Sequence, residues 1–406
     1  MRILILEAYY EPDGGPAAPL YTMLCQELVR RGHHVTVLTA VPHYPSGQVP
    51  AGFRKAKIRW TVETGVQVAR VPLPSVNRSK LACRLWQFAV YQLGAVLAGW
   101  RLDFDVFISA TPSLEVWLPF HFFSIVRNKP AVYSVHDVYP DTGIQLGIFR
   151  HKPVIRLVTA LERSCVKRAA VVRVLSQSFV PRVKRLGVSE ERIRLIYDWV
   201  DTNLIVPLPK SNPFAVEHGL DNKFVVLYAG NVGFSQGLEY LLDTACLLSD
   251  EHIHFLVVGE GAAKEDLLAK ANASHLQNVT FLPFQPRERL PEVLASADVS
   301  VVMLRRGMGF NSLPSKTLSI LASGRPIIVS IDEGSDTWNL VERSGAGICV
   351  PPESPERLAE AIKTLKQNPA LGEQMGQNGR RYALLHHSPE SAAEAFESLL
   401  LEVTTQ

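Results

Sequence analysis

The sequence predicts an α/β chain built from two doubly wound parallel-sheet domains. Short apolar runs alternate with helix-period segments through both halves, the pattern of βα units stacked into a parallel sheet. At 406 residues and 47% hydrophobic content the chain exceeds what one core usually holds and has apolar residues enough for two. Between 197 and 213 the periodicity stops and three prolines appear, Pro207, Pro209 and Pro213, which reads as a crossing between domains. The expected division is 1–203 with a C-terminal helix at 386–406, and 204–385.

In the first half, a strand at 3–6 runs into a loop carrying Gly14 and Gly15, followed by a helix at 18–31 and a strand at 35–39. Leu20, Leu24 and Leu28 mark the buried face of that helix, and Gly32 ends it. Glycines between a strand and a helix are the setting in which backbone N–H groups approach a phosphate, although the GxGxxG order of a dinucleotide site is absent. The loop 41–47, with Pro42 and Pro45, either faces an acceptor or is a structural turn. Two very apolar segments, 79–100 and 112–126, carry basic residues at their ends. They read either as core helices or as a membrane-surface patch. A strand at 131–135 then delivers His136 and Asp137 past its carboxyl end, where α/β proteins place functional groups. Helices at 154–168 and 178–186 and strands at 171–175 and 193–196 bring this half to six or seven strands.

The second half restarts with a strand at 224–229 and a glycine loop, Gly230 to Gly237, that contains Asn231, Gly233 and Gln236. A strand at 255–258 precedes Gly259-Glu260-Gly261, and a segment at 279–284 ends in Phe284. After a buried strand at 299–304, a loop leads to Pro314-Ser315-Lys316, which opens a short apolar helix ended by Gly324, before a strand at 326–330. A helix mouth beside strand carboxyl ends, with a lysine added, is a candidate anion site. Helices at 355–366, 369–385 and 389–402 complete the chain.

Several function classes receive no support. Net charge is only +3, and no basic stripe interleaved with aromatics suggests nucleic acid. The five cysteines are scattered without metal or redox spacing. HExxH, GxSxG, P-loop and EF-hand motifs do not occur. The chain opens directly on a strand, so a cytoplasmic location is expected. The longest uncharged apolar stretch, 86–100, is shorter than the ~20 residues of a membrane-spanning helix, and none is expected to span.

The run Pro314-Ser315-Lys316, followed by Leu321-Ala322-Ser323-Gly324-Arg325-Pro326-Ile327, resembles the donor-binding helix of the retaining glycosyltransferases of family 4. Within them it is most similar to the branch that includes N-acetyl-fucosamine transferases of bacterial surface-polysaccharide synthesis. The resemblance implies a GT-B fold, two Rossmann-like domains facing a central cleft, with the last helix crossing back to the first domain. It implies transfer of a sugar, of the N-acetylated hexosamine class, from a UDP-sugar to a saccharide or polyprenyl-diphosphate-saccharide acceptor. No cofactor or metal is implied, and the enzyme is expected to be cytoplasmic or peripheral on the inner face of the plasma membrane. His136 and Asp137 would serve the reacting sugar, and Gly14 and Gly15 the diphosphate. The remaining donor contacts would be Asn231, Gly233, Gln236, Phe284, Asn311, Ser312, Leu313, Pro314, Ser315, Lys316 and Ser319. Family members commonly carry two glutamates where this chain has Asn311 and Ser319, and an arginine and a lysine where it has Asn231 and Gln236. The diphosphate charge would then fall to Lys316, helix dipoles and Arg305 or Arg306. The alternatives are a GT-B sugar-nucleotide 2-epimerase and a catalytically impaired scaffold of a glycan-assembly complex.

Overall fold

The computed structural model describes all residues except 56, 79, 146–148, 150, 311, 312 and 406, and the backbone alone at 142 and 145. The chain divides into two compact units, Met1–Asp198 with Pro389–Gln406, and Trp199–Ser388.

The first unit holds an eight-stranded sheet: β1 Arg2–Leu6, β2 His34–Ala40, β3 Arg59–Glu63, β4 Val66–Val71, β5 Val106–Ala110, β6 Ala131–Val135, β7 Val171–Val174 and β8 Ile193–Leu195. Their order is β3-β4-β2-β1-β5-β6-β7-β8. Strands β5, β6 and β7 are buried along their whole length, as expected when helices cover both faces. Eight strands stand where six or seven were expected, and three of them were not placed from the sequence: β5, and the antiparallel hairpin of β3 and β4 at the sheet edge. Its turn is Thr64-Gly65, both in the left-handed region at φ 48° and 85°, which matches strand twist in a two-residue hairpin.

The last helix, Pro389–Thr405, belongs to this unit because its side chains pair there. Glu397 accepts from Arg31 Nε at 2.7 Å and faces His33 Nε2 at 2.8 Å, and Glu402 pairs with Arg194. Phe396, fully buried, lies against the Arg173 guanidinium at 5.8 Å.

The helix Leu81–Gly99 has the length and apolarity to cross a bilayer, which the reading of 86–100 alone did not anticipate. Its inner face is nevertheless seated on the sheet. Tyr91 Oη donates to the Leu38 carbonyl at 2.8 Å, and Gln87 Nε2 donates to the carbonyls of Gly47 and Pro74. The neighbouring apolar segment folds as a helix, Ser113–His121, continued by a π turn at Phe122–Val126.

The second unit carries six parallel strands: β9 Phe224–Ala229, β10 Ile253–Val258, β11 Val279–Leu282, β12 Val299–Met303, β13 Ile327–Ser330 and β14 Gly347–Val350, in the order β11-β10-β9-β12-β13-β14. Alternate residues of β9 enter two cores: Val225 and Leu227 on one face, Val226 and Tyr228 on the other. The order reverses between β10 and β12 around β9, so the crevice at the carboxyl ends of these strands is where a ligand is expected.

The helix Pro369–His386 crosses the chain closely at Gly376, where an added Cβ would stand 2.0 Å from the Gly324 carbonyl oxygen. Gly372 of the same helix has nothing nearer than 3.7 Å. Glycine to alanine in a helix ordinarily gains up to ~1 kcal/mol. Gly372→Ala should show such a gain in urea denaturation, whereas Gly376→Ala should lose roughly 1–3 kcal/mol because backbone must move. Equal effects at the two positions would show that the close crossing does not constrain the fold.

Candidate functional site

At the carboxyl ends of β9 to β12 lies a cavity of about 520 Å³. Seven residues singled out in the sequence line it: Asn231, Gln236, Phe284, Pro314, Ser315, Lys316 and Ser319. Its floor is apolar, from Val258, Leu290, Val293, Leu294, Leu304 and Ile320. Leu313 is half-buried and not among the lining residues, and Gly233 stands in the loop behind the wall. Asn311 and Ser312 lie outside the described residues.

Lys316 starts the helix Lys316–Ala322. Its Nζ donates to Tyr228 Oη at 2.6 Å, and Tyr228 in turn donates to the Asn231 carbonyl at 2.6 Å. The ammonium also lies 3.9 Å from the Tyr228 ring centroid. Burial lowers the Lys316 pKa to about 7, and no carboxylate stands among the described lining residues to hold the charge. The lysine fits because Gly230 has no side chain, for a Cβ there would stand 2.9 Å from Nζ. Gln236 shapes the same loop, its Oε1 accepting from the Gly233 N–H at 3.0 Å.

Gly259 and Gly261 have a packing explanation. At φ 155° and 159°, added Cβ atoms would stand 1.9 Å from the Gly230 oxygen and 2.3 Å from the Val232 oxygen, so these glycines let two loops touch backbone to backbone.

The cations differ in part from expectation. Arg305 pairs with Glu239 and donates to the Phe234 carbonyl at 2.7 Å, and Arg306 faces Glu353. Neither lines the cavity. Arg287 does, together with Gln285. The first turn of the lysine helix also uses N–H groups internally: Thr317 donates to the Pro314 carbonyl and Leu318 to that of Ser315. The cationic work in this pocket therefore rests on side chains. Sequence reasoning missed Tyr228 because it sits inside an apolar strand, and Arg287 because it follows the strand by a proline-bearing loop rather than a glycine one.

In the first unit, His136 follows β6. Its Nε2 is 3.1 Å from Tyr21 Oη and 3.4 Å from Ser134 Oγ, and its Nδ1 is 3.7 Å from Asp198 Oδ1. Asp198 is held by the wholly buried Arg173, whose Nη2 donates to it at 2.6 Å. Arg173 also donates to Ser134 Oγ and to the Ile196 carbonyl. The backbone N–H groups of His136 and Asp137 both donate to Thr111 Oγ1, which fixes the turn, and the Asp137 side chain is exposed. Gly14 is exposed, while the Gly15 N–H is turned inward to Asp13 Oδ1 at 2.8 Å. Gly15 allows Tyr9 to pack, for a Cβ there would stand 2.6 Å from the ring.

The carboxyl edge of this sheet is rich in buried acids that the sequence reading did not single out. Tyr9 donates to Glu115, and Tyr133 and the Ser113 N–H donate to Glu162. Burial lifts Glu7 to about 8 and Glu162 to about 7.

Two doubly wound units, one with a pocket at its switch point that holds cations and no acid among its described lining residues, fit the GT-B class. The chain belongs to the family 4 and group 1 glycosyltransferases: residues 20–204 match the model described as Glycosyltransferase Family 4, and residues 212–382 that described as Glycosyl transferases group 1. It is 30% identical over 376 residues to the "Putative colanic acid biosynthesis glycosyl transferase WcaI" of Escherichia coli (strain K12), covering 89% of this chain and 91% of that one. It is 25% identical to the "Probable glycosyltransferase WbjE" of Pseudomonas aeruginosa, over 71% of this chain and 73% of that one. Among solved structures, Anabaena Alr3699/HepE in complex with UDP superposes with a TM-score of 0.73 at 17% identity, over 99% of this chain and 100% of that one, a likeness of fold.

Burial outweighs the attraction of Asp198 and, with the Arg173 charge, lowers the His136 pKa from 6.5 to about 4. The unfolded chain then binds the extra proton between these values, so this histidine removes stability as pH falls from about 6.5 to about 4. In an NMR titration the His136 ring should stay neutral at pH 5.5, and a midpoint near 6.5 would show that water reaches it freely.

Proposed function

We propose that this glycosyltransferase is a retaining enzyme of bacterial surface-polysaccharide synthesis. In this reading it moves a sugar of the N-acetylated hexosamine class from a UDP-sugar to a saccharide acceptor, free or carried on lipid, at the cytoplasmic side of the membrane. The observation that carries the donor side is Lys316, whose pKa burial lowers to about 7, in a pocket lined also by Arg287, which pairs with Asp201 at 3.3 Å, and with no acid among its described lining. A diphosphate is the partner that returns such a lysine to full charge. The family models, the likeness to the colanic acid glycosyl transferase WcaI and the UDP complex of the structural neighbour support the reading.

In the proposed step the bond from the anomeric carbon to the diphosphate oxygen breaks, and its electron pair leaves with UDP. The departing diphosphate takes the proton of the acceptor hydroxyl, whose oxygen bonds to the anomeric carbon on the same face. The protein contributes placement and electrostatics. Lys316 and Arg287 meet charge on the leaving group, Phe284 offers a wall to the base, and Ser319 offers a hydroxyl. His136 serves the sugar, and a ring that stays neutral adds no positive charge beside the cation that develops there.

The reading is tested by incubating the enzyme with UDP-sugars and saccharide acceptors. UDP release accelerated by acceptor, with product of the donor's anomeric configuration by NMR, is the expected result. A new UDP-sugar formed without acceptor would mean an epimerase, and no turnover on any pair would mean a scaffold.

Lys316→Ala should weaken UDP binding about ten- to a hundredfold by calorimetry, the scale of a charge-assisted hydrogen bond of ~1.5–3 kcal/mol. Unchanged affinity would remove the lysine from the donor site. His136→Ala should instead cut turnover and leave UDP affinity near wild type, because its contribution grows only as charge develops on the sugar. A variant with wild-type turnover would make His136 a structural residue.

A further inference from the structure

We propose that Tyr228 is a positioning residue of the donor pocket, whose neutral hydroxyl aims the Lys316 ammonium at the diphosphate and leaves the charge of the lysine uncancelled. The proposal rests on the reading of this cavity as the nucleotide-sugar site. Tyr228 is not among the described lining residues, so it acts through the lysine.

The hydrogen bonds fix which residue serves which. A phenol has one proton to give. Burial raises the Tyr228 pKa, so that proton stays on the oxygen, and it goes to the Asn231 carbonyl at 2.6 Å, a group that can only accept. Toward Lys316 the hydroxyl therefore offers a lone pair, and Nζ is the donor across 2.6 Å. The tyrosine needs nothing from the lysine, because the loop already takes its proton. The lysine does need the tyrosine: among the described residues, Tyr228 Oη is the one hydrogen-bond acceptor of Nζ.

An ammonium carries three N–H donors, so the bond to Tyr228 leaves two for a ligand in the cavity of about 520 Å³. The side chain is also confined. It passes over Gly230, where a Cβ would stand 2.9 Å from Nζ and 3.0 Å from Cε, and Nζ rests 3.9 Å from the Tyr228 ring centroid. A carboxylate in place of the phenol would hold the lysine more strongly, but it would cancel the charge and compete with phosphate for the same donors. The phenol orients without neutralising.

Few other charges bear on this lysine. Arg287, beyond β11, lines the same cavity and pairs with Asp201 at 3.3 Å. After β10 Lys264 pairs with Glu260, and after β12 Arg305 pairs with Glu239. After β13 Asp332 accepts from the Gly307 and Gly309 N–H groups. Arg380, on the helix packed against that of the lysine, donates to the carbonyls of Thr202, Ile205 and Ala322. Desolvation thus sets the Lys316 pKa at about 7, and an accepting hydroxyl favours the charged form. Without that hydroxyl the midpoint falls further. A diphosphate selects the charged lysine, so the resulting loss of affinity grows as pH rises above the midpoint.

The test is a double-mutant cycle of Tyr228→Phe and Lys316→Ala, read by calorimetric UDP affinity at pH 6 and pH 8, together with an NMR titration of the Lys316 side chain in the ligand-free protein. Phenylalanine keeps the ring and removes the hydroxyl alone. Tyr228→Phe should weaken UDP binding about tenfold at pH 8 and about twofold at pH 6, the pattern of a midpoint lowered from about 7 to about 6. The terminal phosphate of UDP also titrates near about 6, but equally for every variant, so ratios of affinity are compared. In the Lys316→Ala background Tyr228→Phe should cost nothing further. Equal losses in the two backgrounds would overturn the proposal, since Tyr228 would then hold the loop through Asn231 and not the lysine. So would a loss independent of pH, or a Lys316 midpoint that Tyr228→Phe leaves unchanged. A Lys316→Ala loss without a Tyr228→Phe loss would overturn the proposal alone, whereas Lys316→Ala with wild-type UDP affinity would overturn the donor reading and the proposal with it.

Discussion

The contact of two glycine loops, backbone on backbone, is the constraint on which the second unit's pocket depends. Gly259 and Gly261, after β10, lie so close to Gly230 and Val232, after β9, that no side chain fits between them. The Val232 N–H donates to the Glu260 carbonyl, and the Ala263 N–H to that of Val232, so the two loops form one shelf. Only on such a shelf does Lys316 find room above Gly230, within reach of Tyr228. The lysine thus owes its position to the absence of three β-carbons.

The first unit solves a different problem, that of holding charge inside a parallel sheet. Arg173 is wholly buried on β7 and would be prohibitive unpaired. Its partners come from three directions: Ser134 on β6, the Ile196 carbonyl past β8, and Asp198 at the end of the unit. Phe396 from the returning helix offers its ring at 5.8 Å. That arrangement sets the field around His136, with a carboxylate on the Nδ1 side already committed to the guanidinium. Burial then governs the imidazole, and it stays neutral.

The layered architecture could be read from the sequence because it rests on short-range signals. Apolar runs such as RILIL and FVVLYA, the glycines that follow them, and the proline-bearing crossing all mark elements locally. The β3–β4 hairpin escaped because its turn, Thr64-Gly65, is not one of the strong dipeptide signals and its edge strand is largely polar. Asn231 and Gln236, on a glycine loop, and Lys316, at a helix opened by Pro314, were recognisable through the family resemblance, whereas Arg287 was not. Tyr228 was not, since a tyrosine in an apolar strand looks like core until the structure shows what its hydroxyl touches. Arg305 misled for the converse reason. Its place after β12 is right for a ligand contact, and only the fold reveals that Glu239 already holds it.

The uncharged side chains of Asn231 and Gln236 acquire a physical meaning in this setting. Gln236 spends its carbonyl oxygen on the Gly233 N–H, and Asn231 gives its backbone oxygen to Tyr228, so both residues shape the loop instead of supplying charge. Among the described lining side chains, Lys316, whose pKa burial lowers to about 7, is the one whose protonation an anion can raise. Binding an anion and protonating that lysine are then coupled events, each raising the free-energy gain of the other. An arginine in the loop would remain charged whether or not ligand were present, and it would attract phosphate without that coupling. Arg287 stays charged in the same lining, so protonation of Lys316 adds to a pocket that already carries a cation.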